Sequence, residues 1–87
     1  MKADHASVKQ MLKTARGQLD AVLRMVEEDR YCVDISNQLL ATEALLRKTN
    51  KIVLHAHLKS CVRDSFITSE DVNVKIDEVL KLLDKFV

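Results

Sequence analysis

The sequence has no proline and no tryptophan, and only one glycine, one tyrosine, two phenylalanines and two cysteines. With Gly17 as the single glycine, the usual helix breakers are missing, and long uninterrupted helices are the expected result. A β-sandwich or barrel calls for more turn residues and more aromatics than this chain has. Two cysteines cannot build a structural disulfide framework. No apolar run approaches the roughly 18 residues that span a bilayer, and the start, MKADHASVKQ, lacks the apolar core of a signal peptide. A cytoplasmic location without a membrane partner is therefore expected, and there a cysteine pair reads as metal-binding or redox-active before structural. No Ser/His/Asp set, phosphate loop or acid–base carboxylate pair is recognisable, so an enzyme is not expected.

The chain has 87 residues, enough for one domain spanning 1–87. A monomer of this size buries a modest core, so self-association is the expected source of further buried area. Net charge is +1, but it is unevenly spread: residues 1–63 carry eleven Lys/Arg against seven Asp/Glu, and residues 64–87 carry three against six. A basic body followed by an acidic segment hints at an anionic partner.

Apolar periodicity predicts an all-α fold of three helices. The first runs from about Ala6 to Glu28, with Val8, Leu12, Ala15, Leu19, Val22 and Val26 at alternating steps of four and three. Gly17 inside it either permits close approach of a neighbour or is merely tolerated. Glu27, Glu28 and Asp29 oppose the dipole at a helix C-terminus, which places a break near Asp29 and Arg30. The second and central helix runs from about Cys32 to Val62, its stripe carried on by Ile35, Leu39, Thr42, Leu46, Thr49, Val53 and Ala56. Such a length with a broad apolar face suits the spine of a bundle or dimer. A linker over about Asp64 to Ser69 follows. Thr68 and Asp71 then form a capping box for a third helix reaching about Phe86.

His57 and Cys61 are four apart, on one helix face about one turn from each other, where two soft donors can chelate a metal. Either alone is more simply a satisfied side chain; a single helical cysteine is usually a small buried hydrophobe. Cys32 changes that weighing. It opens the central helix that His57 and Cys61 close, and their separation is roughly 40 Å along an unbroken helix. Within one chain the three cannot share an ion. Two antiparallel copies of the helix bring Cys32 of one subunit to His57 and Cys61 of the other, twice per two-fold dimer. Two thiolates and an imidazole suit Cu(I), whereas zinc usually takes a fourth ligand. His5 and His55 read as solvated surface residues. Tyr31 and either Asp77 or Glu78 could orient the imidazole from outside the ligand set. Lys9, Lys13 and Arg16 on the first helix, and Arg47, Lys48 and Lys51 on the second, could line up cations for DNA phosphates, or form solvated helix faces. No known base-reading motif is visible.

The segment RGQLDAVLRMVEEDRYCVDISNQLLATEALL and the later HLKSCV resemble the copper-sensitive operon repressor (CsoR) family, over nearly the whole chain. The resemblance implies an antiparallel dimer forming a four-helix bundle, dimers that pair into a disc-shaped tetramer, and no helix-turn-helix. It implies Cu(I) bound by Cys32 with His57 and Cys61 of the partner subunit, and operator DNA bound by the metal-free repressor and released on metal binding. Tyr31 matches a family position beside the ligands, and Lys48 a basic position on the second helix. Asp77 stands where copper sensors usually carry Glu, and Met11 and Thr14 stand where they usually carry arginines. Persulfide sensors on this scaffold keep both cysteines but lack the histidine at position 57; nickel or cobalt sensors have histidine at position 61. His57 together with Cys61 is the copper pattern. The alternatives are a persulfide or thiol-redox sensing repressor of the same fold, and a copper-binding helical protein that does not bind DNA.

Overall fold

A computed structural model describes residues 1–64 together with Val74, Asp77, Glu78, Leu80, Lys81 and Lys85, and the side chains of residues 1–60 and of those six. Two helices, α1 (His5–Glu27) and α2 (Cys32–Asp64), account for most of residues 1–64, and the described residues include no strand. The all-helical expectation holds. Helix α1 starts and ends one residue earlier than its periodicity suggested, and α2 runs two residues further, to the first residue of the expected linker. The remaining linker residues and the Thr68–Asp71 capping box lie outside the described residues. So does most of the expected third helix, although Val74, Asp77, Glu78, Leu80 and Lys81 are helical.

Local chemistry sets both ends of α1. Asp4 is its N-cap: the carboxylate accepts the Ser7 N–H at 3.2 Å, and the Asp4 carbonyl takes the Val8 N–H. At the other end the Arg30 N–H donates to the Met25 carbonyl and the Asp29 N–H to that of Val26. These two bonds make a Schellman motif, and it requires the left-handed backbone found at Asp29, φ 54°. Glycine is the usual residue there; aspartate tolerates the conformation better than most side chains do. The turn leads directly into α2, where the Tyr31 carbonyl accepts the N–H groups of Asp34 and Ile35. Asp34 in the first turn suits the positive end of the helix dipole.

Residues Asp4–Ile52 form one compact unit, and Met1–Ala3 with Val53–Val87 form another. In the first, α1 buries Val8, Ala15 and Val22, one heptad apart, while α2 buries Thr42 and Thr49, also a heptad apart. Thr42 Oγ1 donates to Gln18 Oε1 at 2.9 Å, with the Gln38 carbonyl a second acceptor for the same proton at 3.1 Å. Thr49 Oγ1 donates to the Leu45 carbonyl at 2.8 Å. The buried hydroxyls therefore all have partners, and the Gln18–Thr42 bond links the helices at equal distances in sequence from Arg30, as in a helical hairpin.

This core is thin. Burying a valine contributes roughly 1.5–3 kcal/mol, an alanine less, and a hydrogen-bonded threonine little net. The larger members of the same apolar stripes remain outside: Leu12, Leu19, Val26, Leu39 and Leu46 are all 42–58% exposed. Periodicity located the stripes correctly. It did not tell which half of each stripe the hairpin would cover.

Candidate metal centre and basic helix faces

Cys32 is the first residue of α2, and its thiol is free and exposed. Its position follows from the turn before it, since the α1 cap at Asp29 and Arg30 and the Tyr31 carbonyl together fix where α2 begins. Tyr31 itself is 69% exposed. His57 lies toward the other end of α2 and is half-buried. Cys61 belongs to the same helix, one turn beyond His57; its side chain lies outside those described.

His57 Nε2 lies 3.5 Å from Glu78 Oε1, an ion pair when the imidazole is protonated. Both residues belong to the second compact unit. Of the two carboxylates considered for this place, Glu78 is at the imidazole, while Asp77 is exposed and makes no ion pair among the described residues. Helix geometry explains why only one of them does so: neighbours in sequence project about 100° apart around the axis. Among the described residues no group of three or more His, Cys, Asp or Glu side chains converges within the single chain.

Lys9, Lys13 and Arg16 are exposed along α1, and Arg47, Lys48 and Lys51 along α2. The second set lines an open groove of about 420 Å³ with Leu40, Glu43 and Ala44. Glu43 Oε1 accepts from Arg47 Nη2 at 2.7 Å, an i,i+4 pair that ties back one of the three cations. The spacing of Glu43 from Arg47, four residues, is the sequence signal for such a pair. No helix among the described residues is long and apolar enough to cross a membrane.

Residues 4–85 match the model of the metal-sensitive transcriptional repressor family. The copper-sensing transcriptional repressor CsoR of Bacillus subtilis is 40% identical over 75 residues, covering 86% of this chain and 73% of that protein. The copper-sensing transcriptional repressor CsoR of Mycobacterium ulcerans is 42% identical over 69 residues, 79% of this chain; the match spans 58% of that longer protein. Among solved structures, the copper-sensing repressor CsoR with Cu(I) from Geobacillus thermodenitrificans is similar at a TM-score of 0.83 and 30% identity, covering 93% of this chain and 83% of that one.

Proposed function

The chain belongs to the metal-sensitive transcriptional repressor family, and on that premise we propose that it is a Cu(I)-responsive repressor that holds operator DNA in its metal-free form and releases it when Cu(I) binds. The proposed site spans two subunits, with Cys32 from one and His57 and Cys61 from the other. The observation that carries this reading is the continuity of α2 from Cys32 to Asp64, with a free, exposed thiol on its first residue. Along such a helix Cys32 and His57 are roughly 40 Å apart, too far to share an ion. An antiparallel second copy resolves this and covers the exposed Leu39 and Leu46 at the same time.

The donor set fits the metal. Two thiolates and an imidazole are soft ligands suited to a low-coordinate Cu(I) ion. Glu78, whose carboxylate lies 3.5 Å from Nε2, helps orient the ring from outside the ligand set. Bound at this site, Cu(I) supplies a bridge between subunits. The protein's own part is to hold Cys32 at one helix start and the His57–Cys61 pair one turn apart, so that closing the site alters the helix pairing. DNA binding falls to Lys9, Lys13 and Arg16 with Arg47, Lys48 and Lys51, through phosphate contacts. Metal and DNA are then coupled negatively and reciprocally. The third helix, the four-helix-bundle dimer and the pairing of dimers into a disc-shaped tetramer complete the proposed architecture.

Titration of the reduced protein with Cu(I) against a competing chelator tests the reading. Tight binding is expected, with a large loss in His57→Ala; weak binding, or binding indifferent to that change, contradicts it.

The exposure of Cys32 favours a second reading, thiol sensing on the same scaffold. A low-molecular-weight persulfide or disulfide would take two electrons from Cys32 and Cys61 of the partner subunit, joining them in a disulfide and leaving as reduced sulfur species. Inter-subunit bridging seen by intact mass, alongside poor Cu(I) binding, would favour it over copper.

A further inference from the structure

Gly17 lies in the middle of α1, where glycine costs helix stability relative to alanine. Neither of the usual reasons for a glycine applies among the described residues. Its φ is not positive, and a Cβ built on it meets no described atom within 4 Å. The residue is exposed, so the gap where its side chain would be opens outward.

The surroundings of that gap indicate what approaches it. From Lys9 to Arg24, α1 carries the cations Lys9, Lys13, Arg16 and Arg24 against one acid, Asp20. All four cations are exposed, and none is in an ion pair among the described residues. Lys13 lies one turn before Gly17 and Arg24 two turns after it, on the same side of the helix. The nearest positions on the Gly17 face are thus Gln10, Lys13, Thr14, Asp20, Ala21 and Arg24. A second helix packing here would bury charge. A polyanion would instead find Lys13 and Arg24 above and below a patch of bare backbone, with Asp20 the one acid on that face.

We infer that Gly17 is a close-approach point for a DNA phosphodiester strand, which sits against the α1 backbone there and is flanked by Lys13 and Arg24. The inference rests on the repressor reading only in taking duplex DNA as the ligand. It adds a contact made by the absence of a side chain, which a search for basic residues does not find.

Gly17→Ala tests it, with mixed-sequence duplex DNA at low salt as the probe and Lys13→Ala as the comparison. Gly17→Ala is expected to melt higher, by roughly 4–8 °C, and to bind the duplex about tenfold more weakly, because a methyl group occupies the contact. The dependence of its binding on salt should stay that of the wild type, since no charge has been removed. Lys13→Ala should weaken binding and lower the salt slope by about one. A Gly17→Ala protein that melts higher and binds as tightly as wild type overturns the inference and leaves the repressor reading standing. A change in its oligomeric mass also overturns it, by making a second copy the occupant. Wild-type protein with no affinity for duplex DNA at low salt instead defeats the repressor reading.

Discussion

The carboxylate that meets the His57 imidazole is that of Glu78, 3.5 Å from Nε2, and not that of its neighbour Asp77. The family resemblance points to position 77 for this role, and the chain carries there an aspartate, one methylene shorter than the glutamate usual in copper sensors. Glu78, one residue on, supplies the longer side chain. If Glu78 orients the ring for metal, Glu78→Gln should weaken Cu(I) binding by about tenfold or more, while Asp77→Asn should leave it near wild type. Competition titration of both variants checks this; the reverse order of effects would return the role to Asp77.

The turn between the helices offers a stability test. Asp29 holds a left-handed backbone that glycine adopts at no steric cost. Asp29→Gly should stabilise the protein by about 0.5–1 kcal/mol, whereas Asp29→Val should destabilise it by about 1–2 kcal/mol. Urea unfolding reads both. Equal effects from the two substitutions would mean that the Schellman turn does not limit stability.

Inside the hairpin, Thr42 is the buried polar residue to question. Thr42→Val keeps the shape and removes the hydroxyl that reaches Gln18. A loss of about 0.5–1.5 kcal/mol is expected, because half-buried Gln18 can still turn toward solvent. Thr42→Val together with Gln18→Leu should recover part of that loss. A double variant less stable than the single one would show that the pair does more than hold the two helices together.

The register of the proposed dimer can be located. An antiparallel pairing that sets Cys32 against the middle of the His57–Cys61 pair puts the two-fold axis midway between them, between Leu45 and Leu46. Leu45 is half-buried in its own hairpin, whereas Leu46 is 42% exposed. Leu46→Cys, in a chain whose Cys32 and Cys61 are replaced by serine, should therefore cross-link subunits readily under mild oxidation, and Leu46→Asp should shift the protein toward monomer. Non-reducing electrophoresis and sedimentation measure these outcomes. A dimer that survives Leu46→Asp and does not cross-link at position 46 is not paired in this register.

Much of the hairpin was legible because helices announce themselves by period and by breakers. The missing prolines, the steps of four and three and the acidic run ending at Asp29 placed α1, α2 and the break between them to within two residues. The division of each stripe was not legible. Val8 and Leu12 look equivalent in sequence, and only packing decides that the hairpin buries the valine and leaves the leucine for another surface. The spacing of Cys32 from His57 was legible, because a helix converts residue count into distance. The choice between Asp77 and Glu78 was not, since it depends on how a second segment meets α2. Gly17 stands out in the sequence as the single glycine, but only the structure shows that no described residue fills the space beside it.

Mixed subunits test the central claim most directly. A Cys32→Ala chain lacks one part of every site, and a His57→Ala, Cys61→Ala chain lacks the other, so neither homodimer should bind Cu(I) tightly. Co-folding the two variants and isolating the mixed dimer should restore one tight site, built from Cys32 of the second chain with His57 and Cys61 of the first. A mixed dimer that binds Cu(I) no better than either parent would contradict a site shared between subunits.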